Sequence, residues 1–201
     1  MKLNNKQWDN MNTILLDCDG VILDYFSVIH EKHDHLVNNE NRPTLFNDFN
    51  CYFNIGAHTV NKLVTEFNDS PEFALLPAYQ NAKEVLNSLY DDGFEIIVVT
   101  SCGDKKHIID RRIQNLHSEI GDIFEDIICL PLEADKKDIL SKWKNTNNIW
   151  VDDRLHNCET GLEVGLDSLM YETLYNHYID FPKAEEWLHL HEIIKDKYYN
   201  D

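Results

Sequence analysis

Short runs of apolar residues, each followed directly by polar residues, recur along the chain. Runs of this length and composition are typical of strands buried on both faces of a parallel sheet. The polar residues that follow them would then lie together at the carboxyl edge of that sheet. The runs are Thr13–Leu16, which ends at Asp17; Phe94–Val99, which ends at Thr100 and Ser101; Ile123–Leu130, with strand expected from Asp126; and Asn148–Val151, which ends at Asp152 and Asp153.

Helical patterns separate these runs. Residues Ala78–Tyr90 place Val85, Leu86 and Leu89 at helical spacing, and Asp92-Gly93 follows as a helix C-terminal signal. Similar patterns cover Lys105–Leu116, Lys136–Trp143 and Ala184–Tyr198. Strands that alternate with helices predict an α/β fold, a doubly wound, three-layer α/β/α parallel sheet whose ligands bind beyond the carboxyl ends of the strands.

One long segment interrupts the alternation directly after the first strand and its turn. Residues 26–76 contain no convincing buried strand, but they contain aromatic-rich helical patterns separated by Arg42-Pro43 and Ser70-Pro71. We therefore predict a small helical cap at 26–76 over the carboxyl edge, with residues 1–25 and 77–201 forming the α/β core. The aromatic residues in this cap and at its first boundary are expected to form the cap's own core, with one or two able to stack on a planar base: Tyr25, Phe26, Phe46, Phe49, Tyr52, Phe53 and Phe67.

Composition narrows the function classes. The 201-residue chain has a formal net charge of −18, which argues against an extended nucleic-acid partner because phosphate tracking needs Lys and Arg. No uncharged apolar run approaches the roughly 18 residues that span a bilayer, so no membrane partner is expected. The first residues show no apolar signal segment, and the five cysteines form no Cys-x-x-Cys pair. We expect a cytoplasmic protein with reduced thiols.

The residues at the strand ends suit phosphoryl transfer. A carboxylate can act as a nucleophile and form an aspartyl-phosphate, which divides one difficult displacement into two easier ones. Asp17, at the tip of the first strand, is the candidate nucleophile. Asp19 follows where the chain turns, so it can protonate the leaving-group oxygen and later deprotonate the attacking water.

The remaining residues at these ends can balance charge. Mg²⁺ prefers oxygen ligands, which Asp17, Asp153 and the backbone carbonyl of Asp19 would supply, while Asp152 either ligates the ion or orients its neighbour. The Thr100 hydroxyl, with Ser101 and the N–H groups that follow, can hold phosphoryl oxygens. A lysine of the next crossover would offset negative charge, and helix periodicity favours Lys136 over Lys137 because Ile139 and Leu140 follow at the third and fourth positions.

The order Asp17-Cys18-Asp19-Gly20-Val21, then Thr100-Ser101, Lys136 and Asp152-Asp153 resembles the four motifs of the haloacid dehalogenase superfamily. The resemblance covers roughly residues 13–165. It implies a Rossmann-like sheet with a mobile cap, a nucleophile at Asp17 and an acid/base at Asp19. It also implies phosphate contacts at Thr100 and Lys136, and metal contacts at Asp17, Asp19 and Asp153. The dehalogenases of that superfamily lack the second aspartate, so Asp19 favours a phosphatase.

A narrower resemblance bears on the substrate. The run from Asp17 to Tyr25, the insertion of about 50 residues, Leu76-Pro77 and the late helix with Trp187 are similar to the 5′(3′)-deoxyribonucleotidases. This implies a Mg²⁺-dependent phosphomonoesterase whose favoured partner is a small phosphorylated metabolite, a nucleoside monophosphate. The alternatives are another small phosphoester, such as a sugar phosphate or a nucleic-acid 3′-phosphate end, a response-regulator receiver, which the chain order disfavours, and a non-catalytic binding protein on the same fold.

Overall fold

A computed structural model describes residues 13–36, 57–132 and 134–199 of the chain. Its centre is a six-stranded sheet with the strand order β3-β2-β1-β4-β5-β6, in which every neighbouring pair is parallel. The strands are β1 (Thr13–Leu16), β2 (Glu95–Thr100), β3 (Phe124–Cys129), β4 (Ile149–Asp152), β5 (Asp167–Tyr171) and β6 (Lys183–Ala184).

Helices connect the strands and cover both faces of the sheet. The α-helices are α1 (Tyr25–Lys32), α2 (Ala57–Asn68), α3 (Ala82–Asp91), α4 (Lys106–Glu119), α5 (Lys137–Leu140), α6 (Leu155–Glu163) and α7 (Trp187–Tyr199). Short 3₁₀ helices lie at Asp34–Leu36, Pro71–Leu75 and Ser141–Trp143. The architecture is the predicted α/β Rossmann-like fold.

The first strand lies in the middle of the sheet, which explains its uninterrupted apolar sequence. Leu15 of β1 pairs with Ile97 of β2 on one side and with Trp150 of β4 on the other. Because successive side chains of a strand point to opposite faces, Ile14 and Leu16 join the larger hydrophobic core, whereas Leu15 joins a second core on the other face. Burial on both faces leaves no polar side chain between Thr13, whose hydroxyl donates to Glu95, and Asp17 at the carboxyl end.

The sequence predicted β1 to β4, but three features differ. β3 begins at Phe124, two residues before the expected start at Asp126, and its residues are only partly buried or exposed. The helix expected from Ala78 begins only at Ala82, because Tyr79 N–H donates to the Ile22 carbonyl and Asn81 has a left-handed backbone (φ 66°). The strands β5 and β6 and the helix α6 were not predicted. β5 begins with the polar residues Asp167 and Ser168, so only Leu169, Met170 and Tyr171 form an apolar run, which is too short to predict a strand.

The described part of the 26–76 segment is helical, as predicted, and its aromatic residues pack on one another. Tyr25 and Phe67 contact edge to face with centroids 5.3 Å apart, and Phe73 lies 6.3 Å from Phe67. Asn68 joins this cluster to the core, since its amide accepts from the Tyr25 hydroxyl and donates to the Cys102 carbonyl. The boundaries of the cap as a separate domain stay a prediction. Phe46, Phe49, Tyr52 and Phe53 lie outside the described residues.

Among the described helices, none combines the length and the apolar composition that crossing a membrane requires.

Close packing of α6 on the sheet depends on a glycine. A Cβ at Gly161 would lie 2.5 Å from Cδ1 of Trp150 and 2.9 Å from Oγ of Ser168, closer than van der Waals contact allows. We therefore expect Gly161→Ala to lower the free energy of unfolding by about 1–3 kcal/mol through overpacking. Chemical denaturation would measure the loss. Leu162→Ala, at a half-exposed position of the same helix, is the control, and an equal loss in both variants would contradict this account.

Candidate active site

Except for Asp152, the predicted site residues line a cavity of about 740 Å³ at the carboxyl edge of the sheet. On the sheet side, its wall consists of residues that follow the ends of β1, β2 and β4, together with the start of α5. On the opposite side it consists of residues of α1 and α2. The strand-end residues in the wall are Asp17, Asp19, Thr100, Ser101, Asp153 and Arg154, with Lys136 from the crossover before β4.

Asp17 is held in place at the base of this cavity. Its own N–H donates to the Val151 carbonyl of β4 (2.8 Å), which continues the sheet pairing past Leu16. The Oδ1 atom accepts from the Cys18 N–H (2.7 Å) and lies 2.8 Å from Lys136 Nζ. Among the described residues, none donates to Oδ2. One carboxylate oxygen is thus anchored while the other is available to a ligand.

Lys136 joins two carboxylates within the protein. Its Nζ lies 2.8 Å from Asp17 Oδ1 and 2.9 Å from Asp152 Oδ2, and it also lies over the Trp150 ring, 5.1 Å from the centroid. Burial alone would lower the pKa of this ammonium, but Asp152 and Asp17 outweigh it and raise the pKa. Lys136 is therefore charged at neutral pH although it is almost fully buried.

Asp152 has both carboxylate oxygens engaged. Oδ2 accepts from Lys136, and Oδ1 accepts from the Arg154 N–H (2.8 Å) and the Asn157 side-chain amide (3.1 Å). These bonds tie the end of β4 to the first turn of α6. Asp152 thereby orients the lysine and the loop that contains Asp153.

Asp153, unlike Asp152, has only one carboxylate oxygen engaged in a hydrogen bond. Its Oδ2 accepts from the Tyr175 hydroxyl, whereas its Oδ1 is buried and has no hydrogen-bond donor among the described residues. Gly20 lies directly against this carboxylate with φ 83°, and a Cβ there would be 2.5 Å from Asp153 Oδ2. Only a glycine allows the turn after Asp19 to approach Asp153 so closely.

Three carboxylates in this region could hold a metal ion. Oxygen atoms of Asp17, Asp152 and Asp153 lie within 4.8 Å of one another, and all three residues are buried. Burial raises the pKa of Asp17 and of Asp153, and the neighbouring Asp152 raises both further, although Lys136 opposes the shift at Asp17. Buried carboxylate oxygens, two of which (Asp17 Oδ2 and Asp153 Oδ1) have no donor among the described residues, fit a hard divalent cation such as Mg²⁺, which would relieve this repulsion.

Asp19 lies at the cavity but outside this carboxylate cluster. Both of its oxygens accept from Nη2 of Arg112, at 2.6 and 2.7 Å. Burial raises the pKa of Asp19, and Arg112 opposes that shift. The predicted metal contact through the Asp19 backbone carbonyl stays a prediction.

The structure brings most of the predicted phosphate-binding residues to the cavity. Thr100 ends β2 and is buried against it, while the Ser101 hydroxyl donates to the Ala134 carbonyl (3.3 Å). The two candidate lysines differ in position. Lys136 lies in the cavity wall, whereas Lys137 is exposed and pairs with Glu163 (2.8 Å).

Sequence reasoning missed two residues that contact the predicted catalytic groups. Arg112 lies on the buried face of α4 with Ile108 and Leu116. Its helical spacing from these apolar residues could have indicated a buried arginine, which needs a carboxylate partner. Tyr175 lies in the loop between β5 and β6, and no local sequence pattern indicates its position.

Asp24, in the same run as Asp17 and Asp19, has a structural contact: its side chain accepts from the Ser27 N–H and caps the N-terminus of α1.

No protein-family model matches the chain, and no curated protein sequence matches it. Solved structures do resemble it in fold. A predicted phosphatase from Clostridium acetobutylicum is similar with a TM-score of 0.66 and 20% identity, covering 92% of this chain and 99% of its own. A HAD-superfamily hydrolase from Ehrlichia chaffeensis is similar with a TM-score of 0.57 and 11% identity, covering 92% of this chain and 96% of its own. A dehalogenase with an intermediate complex is similar with a TM-score of 0.60 and 11% identity, covering 91% of this chain and 96% of its own. The chain therefore shares the fold of these phosphatases and dehalogenases.

Adjacent lysines provide a matched test of the buried ion pairs. Lys136→Met would leave Asp17 and Asp152 buried without their cation, and we expect the free energy of unfolding to fall by about 3–5 kcal/mol. Lys137→Met removes an exposed ion pair of the same helix turn and should change stability little. Urea denaturation of both variants measures the difference. Similar losses in the two would show that Lys136 does not stabilise the carboxylate cluster.

Proposed function

We propose that the protein is a Mg²⁺-dependent phosphomonoesterase that acts through an aspartyl-phosphate on Asp17. The observation that supports this most is the state of Asp17 at the cavity base: its Oδ1 is anchored by Lys136 and the Cys18 N–H, and its Oδ2 is left for a ligand. A nucleophile held in one orientation beside a buried cation is what phosphoryl transfer requires, because catalysis there rests on positioning and charge compensation.

The chain's own residues divide the reaction into two steps. In the first, Asp17 Oδ2 bonds to phosphorus as the bond to the leaving-group oxygen breaks, and Asp19 donates its proton to that oxygen. In the second, Asp19 takes a proton from water as the water oxygen bonds to phosphorus and the Asp17–phosphorus bond breaks. Lys136 balances charge beside Asp17 throughout, and Thr100 with the N–H groups after it orients the phosphoryl oxygens.

The cation would be held by Asp17 and Asp153, with the Asp19 carbonyl as a third protein ligand. Asp153 is favoured over Asp152 as a direct ligand because its Oδ1 has no donor among the described residues, whereas both oxygens of Asp152 accept hydrogen bonds. When bound, Mg²⁺ would offset the negative charge on the phosphoryl oxygens. Asp152 would orient Lys136 and the Asp153 loop.

Asp19 favours a phosphatase over a dehalogenase, although both activities occur among proteins of similar fold. Protonation of a leaving group needs an acid at this point of the cavity, and the dehalogenases of the superfamily lack the second aspartate. The side chain of Asp19 is 24% exposed and lines the cavity, so it is accessible to a leaving group.

A nucleoside monophosphate is the favoured substrate. The cavity volume of about 740 Å³ is within the range of small-molecule sites, and Phe26 of α1 lies in its wall with Val60 and Val64 of α2. An aromatic face there could stack on a base. The exposed side chain of Arg154 adds a cation to the same wall, which would help an anionic substrate to approach a protein of net charge −18. A sugar phosphate and a nucleic-acid 3′-phosphate end are the alternatives.

Activity against a substrate panel tests the proposed chemistry. Wild-type protein and Asp17→Asn would be assayed for phosphate release from nucleotides, sugar phosphates, phenyl phosphate and 2,4-dinitrophenyl phosphate, each with Mg²⁺ or with chelator. We expect release by the wild type with Mg²⁺ only, and at least a 10³-fold lower rate for Asp17→Asn because the nucleophile is lost. A 2-haloacid, assayed for halide release, is the control for dehalogenase activity.

The outcomes of these assays distinguish a phosphatase from a dehalogenase and test the role of Asp17. No phosphate release from any compound would overturn the phosphatase proposal, and halide release would replace it. Turnover by Asp17→Asn equal to that of the wild type would remove Asp17 as the nucleophile. A crystal soaked with a nucleotide would test the substrate: a base against Phe26 supports a nucleotidase, and a phosphate bound with no ordered base favours another phosphoester.

Thermal unfolding tests the cation site without an activity assay. Saturating Mg²⁺, at about 100 times its Kd, should stabilise the wild type by about 2.7 kcal/mol, because the ion binds only the folded carboxylate cluster. At about 2–4 °C per kcal/mol for a chain of this size, Tm should rise by roughly 5–10 °C. Asp153→Asn should abolish this rise. Asp167→Asn, at the exposed start of β5, is the control and should retain it; an unchanged rise in Asp153→Asn would exclude Asp153 as a ligand.

A further inference from the structure

One buried cation contacts the proposed acid/base and is absent from the four motifs. The Arg112 side chain is 0% exposed, and its Nη2 donates to both oxygens of Asp19 at 2.6 and 2.7 Å. Both distances are typical of strong charge-assisted hydrogen bonds. Arg112 lies in α4, 93 residues from Asp19 in sequence, so only the tertiary structure brings the two together.

The positive charge of the Arg112 guanidinium is balanced mainly by Asp19, because the described residues offer it few other partners. Its plane lies over the Phe73 ring, with Cζ 4.1 Å from the centroid. Its Nε and Nη1 are buried and have no hydrogen-bond partner among the described residues. Asp19 is thus the one carboxylate that the described contacts assign to this buried charge, and moving Asp19 away would leave the charge without compensation.

Arg112 also connects Asp19 to the segment that returns from the predicted cap. Phe73 belongs to the 3₁₀ helix Pro71–Leu75 and contacts Tyr25 and Phe67. The same helix α4 holds the following residues, since the Asn115 amide donates to the Leu76 carbonyl (2.8 Å) and Glu119 accepts from the Ala78 N–H. The side chain of Asp19 is therefore fixed from the α4 side, while its other side faces the cavity.

We propose that Arg112 is a positioning residue that holds the Asp19 carboxyl group in line with the leaving-group oxygen. Two hydrogen bonds from one nitrogen restrict rotation of the carboxyl group, and each oxygen keeps a lone pair toward the cavity. Arg112 contacts no reacting atom and acts only through Asp19. This proposal rests on the proposed phosphatase function and adds to it a residue that the motifs do not contain.

The dependence of rate on the leaving group tests this role. Phenoxide is a poor leaving group that needs a proton, whereas 2,4-dinitrophenoxide departs without one, and both phosphate esters are aryl monoesters. We expect Arg112→Met to lower kcat/KM about tenfold to a hundredfold with phenyl phosphate and less than about fivefold with 2,4-dinitrophenyl phosphate, because only the first needs a positioned acid. The quantity kcat/KM is used because it reports the first, acid-assisted step.

Matched variants separate positioning from folding. Arg111→Met removes the neighbouring arginine of α4, whose Nη1 donates to the Asp69 carbonyl, and should leave the ratio of the two kcat/KM values unchanged. Arg112→Lys should restore part of the phenyl phosphate rate, since it can still donate to Asp19. An equal loss with both esters in Arg112→Met would overturn the proposal and assign Arg112 a structural role alone.

A double variant gives a second test, which does not require Arg112→Met alone to fold. Asp19→Asn/Arg112→Met removes both charges of the pair, so neither is left buried alone. If Arg112 acts only through Asp19, this variant and Asp19→Asn should have the same kcat/KM with phenyl phosphate. A further loss of tenfold or more in the double variant would overturn the proposal. Absence of phosphate release by the wild type from the whole panel would overturn the phosphatase function and this role with it.

Discussion

The candidate site depends on one buried ammonium group, that of Lys136 between Asp17 and Asp152. Carboxylates this close repel each other, and burial removes the water that would screen them. Lys136 compensates part of that charge at distances of 2.8 and 2.9 Å. Its position therefore determines where Asp17 Oδ1 points, and through Asp152 it also determines how the loop with Asp153 leaves β4. A cation on Asp153 would supply the compensation that a single lysine leaves incomplete.

Parallel strands explain why these groups converge. β1 lies between β2 and β4, and the carboxyl ends of all three face the same edge, so Asp17, Thr100 and Asp153 come together from widely separated parts of the chain. Burial of β1 on both faces makes this arrangement rigid, because the strand that bears Asp17 packs into both hydrophobic cores. The aspartate at its end is accordingly held within hydrogen-bonding distance of its partners without a contribution from a flexible loop.

Charge distribution reconciles the acidic composition of the protein with the anionic substrate proposed for it. The net charge of −18 describes the whole surface, whereas the cavity gathers Lys136 and Arg154 in its wall and Arg112 directly behind Asp19. Lys136 and Arg112 each pair with carboxylates, so the cavity is not simply basic. The pairs instead fix which carboxylate oxygens stay available: Oδ2 of Asp17 and Oδ1 of Asp153 remain open, while both oxygens of Asp152 and the core-facing side of Asp19 are occupied.

The sequence by itself determined the strands β1 to β4, the order of the helices between them and most residues at the cavity edge. These follow from local rules, because continuous apolar runs need burial on two faces and the polar residues after them must lie at a sheet edge. Helix periodicity also separated Lys136 from Lys137. Only the tertiary structure decided that Arg112 pairs with Asp19, that Tyr175 contacts Asp153, and that Asp153, unlike Asp152, keeps an unpartnered oxygen. These contacts join residues 22 and 93 positions apart, and no local pattern of apolar and polar positions encodes a distance of that kind.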